Sequence, residues 1–215
     1  MLKTTKIKIT IETFKNNIMR FCVLFAFFAL LNLYSAVAQK QGYDIGDKFE
    51  DFTAIDENGK EWDASKLIGK KNIVIYFYPA AMTGGCTKQA CAYRDDLKSL
   101  DSLNAIVVGI SGDSPENLAL FKEAYKLNFT LLSDPEGKIA LQFGVPVKEE
   151  EKSIVRAVAG IEHVLVRKAT TARWTFVFNE KGTLIYKSSD VIAAQDSKSV
   201  INALKGTIKS SKKTP

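Results

Sequence analysis

A single histidine, His163, three cysteines and five prolines are all that this 215-residue chain holds of those residue types. One imidazole is too few for a histidine-rich metal site, so no metal is expected. The longest apolar run, Phe21–Leu31, has eleven residues, well short of the ~20 that a membrane-spanning helix needs. The formal net charge is +6. Residues 1–38 carry Lys3, Lys6, Lys8, Lys15 and Arg20 against Glu12, a net of +4, which leaves +2 for residues 39–215. A body so close to neutral has no electrostatic footprint for nucleic acid. Hydrophobic residues at 46% and charged residues at 25% are ordinary for a soluble globular protein. The length suits one domain plus an appendage, and no internal repeat is found.

The appendage reads as an export signal over residues 1–38. Basic residues precede the apolar run, and Ala36-Val37-Ala38 supplies the small-residue cleavage pattern. A start at Met19 would leave the basic stretch short. The alternative is an uncleaved anchor, against which the short run argues. No lipid-attachment pattern surrounds Cys22, and cleavage removes it. Cys86 and Cys91 then remain in an oxidising compartment, periplasmic or extracellular, away from the membrane. One domain is expected over 39–209, with a disordered Lys/Ser tail over 210–215.

Within the domain, Phe49–Ile55, the turn Asp56-Glu57-Asn58-Gly59 and Lys60–Trp62 read as a hairpin. Asp63 caps a helical turn ending near Gly69. Asn72–Tyr78 and Ala105–Ile110 are continuous apolar runs, the mark of strands buried on both faces. Pro79 ends the first of them, because it has no N–H to donate. A helical period runs from Cys86 through Ala90, Tyr93, Leu97 and Leu100. A second helix follows Ser114, with Pro115 in its first position. Phe129–Leu132 is a short strand, and Ser133-Asp134-Pro135 starts a helical turn ending near Gly144. Glu149–Lys152 reads as a solvated helix start. Trp174–Phe178, the turn Asn179–Gly182 and Thr183–Tyr186 form a second hairpin, and Asp196 caps a last helix, Ser197–Ile208. This order predicts an α/β domain with a central mixed β-sheet flanked by helices.

The stretch Tyr76-Phe77-Tyr78-Pro79-Ala80-Ala81-Met82-Thr83-Gly84-Gly85-Cys86 leads from a strand through a proline and two glycines to a thiol at a helix start. Unpaired N–H groups and the positive end of the helix dipole meet there, and both favour thiolate over thiol. Cys86 is therefore the candidate nucleophile of a redox enzyme.

These residues resemble the peroxiredoxins, and within them the bacterioferritin-comigratory, or Q-type, thiol peroxidases. The pattern of proline, three residues, threonine, two residues and cysteine is met by Pro79, Thr83 and Cys86. The resemblance continues at Ile110-Ser111-Gly112-Asp113-Ser114-Pro115, at Leu131–Gly137 and at Arg173-Trp174-Thr175-Phe176. It implies a thioredoxin-like fold and a cofactor-free, thiol-dependent peroxidase acting on hydrogen peroxide or organic hydroperoxides. It further implies a thioredoxin-like reductant and a monomer or weak homodimer. It assigns Cys86 as the peroxidatic cysteine and Cys91 as the resolving cysteine, joined as a disulfide on oxidation. Arg173 would lie close to the thiolate, Thr83 would hydrogen-bond the peroxide, and Pro79 would shield the pocket. Four departures stand out. Gly84 replaces a usual proline, and Gln89 replaces a glutamate whose charge would orient the arginine. Ala80-Ala81 replaces a charged pair, and Lys148–Thr171 is longer than the branch shows.

Two rival readings share the fold. An exported thiol–disulfide oxidoreductase uses C-x-x-C, whereas Cys86 and Cys91 are spaced C-x-x-x-x-C. A copper-carrying thioredoxin-like protein needs C-x-x-x-C plus a histidine, and only His163 is present. Helical positions five apart lie on different sides with Cα atoms about 8 Å apart, beyond the ~7 Å limit for a disulfide. Oxidation is therefore expected to unwind Gly84–Cys91.

Overall fold

Asn72–Phe77 (β3) is buried along its whole length, which explains its unbroken apolar run. Val74 and Tyr76 face one core, and Ile73, Ile75 and Phe77 face the other. A strand covered on both sides has no need of alternating polar residues. Ala105–Ser111 (β4) lies parallel to it, and Thr130–Ser133 (β5) lies parallel to β4. Thr53–Asp56 (β1) joins β5 antiparallel, and Glu61–Asp63 (β2) closes the first hairpin on β1. Trp174–Phe178 (β8) runs antiparallel to β3, and Leu184–Ser188 (β9) pairs with β8. The result is a seven-stranded mixed sheet in the order β2-β1-β5-β4-β3-β8-β9.

The structure, a computed structural model, describes residues 41–211, with side chains through residue 206. The expected export signal, Cys22 and residues 212–215 lie outside the described residues.

Helices Gly84–Asp101 (α1), Pro115–Tyr125 (α2) and Asp196–Ser211 (α4) contribute to the core on the Val74–Tyr76 face of the sheet. The short Lys138–Gln142 (α3) contributes Ile139 and Ala140 to the opposite core, beside Phe143, Phe49 and Tyr43. Ser114 caps α2 by accepting from the Asn117 N–H, with Pro115 inside the first turn, as its sequence predicts. Asp63 likewise caps the 3₁₀ turn Ala64–Leu67.

Three expectations are corrected. Glu149–Lys152 is strand, not helix: Val147–Val158 (β6) and Ile161–Thr171 (β7) form a separate two-stranded hairpin. Its turn residues Ala159 and Gly160 have φ of 50° and 83°, the left-handed pair that a two-residue hairpin loop requires. Alanine gives no signal for that conformation, so the sequence around the acidic run does not disclose its strand partner. Helix α1 begins at Gly84, not Cys86, and α4 begins at Asp196 and reaches Ser211. Residues 210 and 211 therefore belong to α4 rather than to a frayed tail.

Candidate active site

Helix α1 starts weakly. Thr83 is its N-cap with no side-chain cap hydrogen bond, Gly84 and Gly85 fill the first two positions, and no acidic residue lies in the first turn. The first intrahelical bond is from the Thr87 N–H to the Thr83 carbonyl, at 2.8 Å. The N–H groups of Gly84, Gly85 and Cys86 thus have no acceptor within the helix. Cys86, third in the helix, is only 1% exposed. Its sulfur sits at the positive end of the helix dipole.

Arg173, in the residue before β8, brings its guanidinium to this point. Its Nη2 lies 3.3 Å from Cys86 Sγ, and its Nη1 donates to Gln89 Oε1. A permanently charged fork at that distance presents a fixed positive charge and an N–H donor to the sulfur. Gly85 makes the approach possible, since a Cβ there would stand 3.2 Å from Nη2. Gln89 still orients the arginine, so the expectation that losing a glutamate charge removes that role is corrected: a neutral amide oxygen suffices as acceptor.

Behind Gln89 is the carboxylate of Asp196, whose sequence context predicts only a helix cap. Asp196 is 3% exposed, and its Oδ2 accepts from Gln89 Nε2 at 2.7 Å, Tyr93 Oη at 2.7 Å and Thr175 Oγ1 at 2.8 Å. Burial pushes its carboxyl above the ordinary aspartate value, opposed by these hydrogen bonds and by Arg173. Nothing local at Asp196 marks this role, because its three donors come from α1 and β8.

The loop Tyr78–Thr83 is held by three side chains outside it and by one within. The Ala81 N–H donates to the buried Asp113 Oδ2 at 2.8 Å, and Thr171 Oγ1 donates to the Tyr78 carbonyl at 3.0 Å. Arg156 Nε, from the β6–β7 hairpin, donates to the Met82 carbonyl at 2.8 Å. Thr83 Oγ1 donates to the Ala80 carbonyl at 3.0 Å, which leaves its lone pairs available to accept. Met82 has φ of 58°, a conformation uncommon outside glycine and maintained here by these contacts. Pro79 is half-buried at the head of the loop. Desolvation raises the Asp113 carboxyl despite the Ala81 and Ser111 hydrogen bonds and nearby Arg167. Asp113 belongs to the Ser111–Pro115 motif and was within reach of the sequence; Arg156, inside the longer segment, carried no signal.

Cys91 is half-buried on the same unbroken helix, and both thiols are free. They lie five positions apart in the helix, so their Cα atoms stand about 8 Å apart. Tyr76 stacks on Tyr78 and Tyr93 beneath the helix, at 5.4 and 4.8 Å between ring centroids. His163 lies in β7, paired across the hairpin with Arg156. Among the described residues no group of three or more His, Cys, Asp or Glu is arranged to hold a metal ion.

A family model described as AhpC/TSA matches residues 45–187. The chain is 43% identical over 141 residues to the protein named peroxiredoxin bcp of Haemophilus influenzae, an alignment covering 66% of this chain and 83% of that one. The solved structure of peroxidoxin BcpB from Mycobacterium tuberculosis is 32% identical, with a TM-score of 0.62 over 75% of this chain and 96% of that chain. A cysteine-to-serine mutant of PrxQ from Xylella fastidiosa has a TM-score of 0.64 over 77% and 97% of the two chains, at 21% identity. These neighbours share the thioredoxin-like fold.

Proposed function

The chain belongs to the AhpC/TSA family, the peroxiredoxins, and from that premise we propose how its own residues carry out thiol-dependent peroxide reduction. Cys86 is the nucleophile. Its thiolate attacks one oxygen of the O–O bond, forming Cys86–SOH and releasing the other oxygen as alkoxide or hydroxide, which takes up a proton. Arg173 and the N–H groups at the start of α1 stabilise the thiolate and the negative charge that moves onto the leaving oxygen. Thr83 accepts a hydrogen bond from the peroxide proton, and Pro79 shields the pocket. The 3.3 Å contact between Arg173 Nη2 and Cys86 Sγ is the observation that carries this reading.

Cys91 then condenses with the sulfenic acid, forming the Cys86–Cys91 disulfide and expelling water. An external dithiol of thioredoxin type reduces that disulfide and is itself oxidised. Because both cysteines belong to one continuous helix, the condensation requires Gly84–Cys91 to unwind. The two glycines and the uncapped start make that end the easiest to open.

The enzyme acts outside the cytoplasm, in the periplasm or beyond. The basic stretch, Phe21–Leu31 and Ala36-Val37-Ala38 support an export signal removed after residue 38. It works as a monomer or weak homodimer, free of the membrane once cleaved. Mass spectrometry of the N-terminus after expression with export, and light scattering of the mature protein, test these assignments.

The decisive experiment is peroxide consumption with thioredoxin or dithiothreitol, comparing wild type with Cys86→Ser and Cys91→Ser. Loss of all turnover in Cys86→Ser, and loss of thioredoxin-coupled turnover in Cys91→Ser, is expected. Equal rates in wild type and Cys86→Ser overturn the proposal.

A further inference from the structure

Asp196 and Cys86 are joined by an unbroken chain of polar contacts across three separate segments. Asp196 begins α4, Gln89 lies one turn along α1, and Arg173 precedes β8. Gln89 has one donor end and one acceptor end, while an ionised carboxylate can only accept. With Asp196 Oδ2 at 2.7 Å from Gln89 Nε2, the amide has a single favourable orientation. Its oxygen must face Arg173, where it accepts from Nη1. Turned the other way, the amide would set its N–H groups against those of Arg173 and its oxygen against the Asp196 carboxylate, losing both hydrogen bonds.

We propose that Asp196 is a positioning residue for peroxide reduction: it fixes the Gln89 amide so that Arg173 is pinned with Nη2 on the Cys86 sulfur. The carboxylate that steadies the arginine is thereby supplied from the far end of the chain, through a neutral intermediary. The proposal rests on Cys86 being the peroxide-reducing thiol. A purely structural duty for Asp196, tying α4 to α1, is already met elsewhere. Ser197 Oγ donates to Asp96 Oδ2 at 2.8 Å, and Lys198 Nζ pairs with Asp96 Oδ1 at 2.6 Å. Tyr93 Oη and Thr175 Oγ1 complete the seat of the carboxylate without reaching the arginine.

The test uses the mature chain carrying Cys91→Ser, so that Cys86 is its single thiol. Alkylation by iodoacetamide at fixed pH and the stopped-flow rate with hydrogen peroxide are measured side by side. Asp196→Ala is expected to slow both by about tenfold, the scale of one lost hydrogen bond to a charged group. Asp196→Asn is expected to slow both by a smaller factor, and it decides the matter if the alanine variant does not fold. Gln89→Glu supplies the discriminating step. In the wild-type background it sets two buried carboxylates together and slows the reactions. Added to either Asp196 variant, it is expected to restore most of the rate, because a glutamate presents an acceptor to Arg173 whichever way it turns. Rates unchanged by both Asp196 variants overturn the proposal, and so does a Gln89→Glu change that adds further loss instead of rescue. A wild-type protein inert to peroxide would instead sink the peroxidase reading, while the alkylation series would still report on Asp196.

Discussion

Gly85 and Arg173 share one space: a Cβ on the glycine would stand 3.2 Å from the guanidinium Nη2 that reaches the Cys86 sulfur. The nearest atom is the end of a flexible side chain, so in Gly85→Ala the guanidinium gives way rather than the helix. The expected result is peroxide reduction slowed by roughly three- to tenfold, from a weakened charged hydrogen bond. Thermal stability should hold or rise, since alanine costs less backbone entropy in a helix. Stopped-flow oxidation and a melting curve of the same preparation check both halves, and an unchanged oxidation rate refutes the steric argument.

Gly84 is the counterpart, with open space around it and nothing within 4 Å of an added Cβ. Gly84→Ala should leave the first oxidation step alone and act on the second. Alanine stabilises the helical start by up to about 0.5–1 kcal/mol, which slows unwinding by roughly two- to fivefold. The Cys86–Cys91 disulfide should form that much more slowly after a pulse of peroxide, with more Cys86 carried on to sulfinic acid. Quenching and mass spectrometry follow both products. Disulfide formation as fast as wild type means that opening this end does not limit resolution.

What the chain discloses about itself follows the reach of its interactions. The buried run at Asn72–Phe77, the Ser114-Pro115 cap and the thiol beyond Thr83 depend on near neighbours, and each stands where local patterns put it. The Cys86–Arg173 contact spans 87 residues and was found only through resemblance. Asp196 satisfies the local rule for a helix start so well that its distant use, 107 residues from Gln89, left no trace. The β6–β7 hairpin escaped because its charged strand has no apolar period and its turn uses Ala159.

That hairpin has a measurable part in the site. Arg156 donates to the carbonyl of Met82, whose φ of 58° needs support from outside the loop. Gly112 allows the hairpin its close approach, since a Cβ there would fall 2.1 Å from the Ala169 carbonyl oxygen. Arg156→Ala should cost about 1–2 kcal/mol of stability through the lost hydrogen bond. It should also speed amide hydrogen exchange over Met82–Thr87 and lower the peroxide rate. Exchange there that matches wild type would detach the hairpin from the catalytic loop.

Asp113 gives the loop a pH signature. Its carboxyl lies above the ordinary aspartate value of 3.8, chiefly through desolvation, while Ala81, Ser111 and Arg167 pull the other way. The folded protein therefore keeps this proton to higher pH than the unfolded chain does. Between the two values the folded state binds more protons, so this contribution to stability falls as pH rises through the window and stays lost above it. Asp113→Asn cannot ionise and lacks that slope. The stability of wild type minus that of Asp113→Asn should decline from about pH 3.5 towards neutrality, measured by urea unfolding at a series of pH values. A difference that rises over that range would show the carboxylate better served by its hydrogen bonds than burial allows. The decline would instead mark Asp113 as a charge kept beside the catalytic loop at some expense of stability, for the hold its oxygen has on the Ala81 N–H.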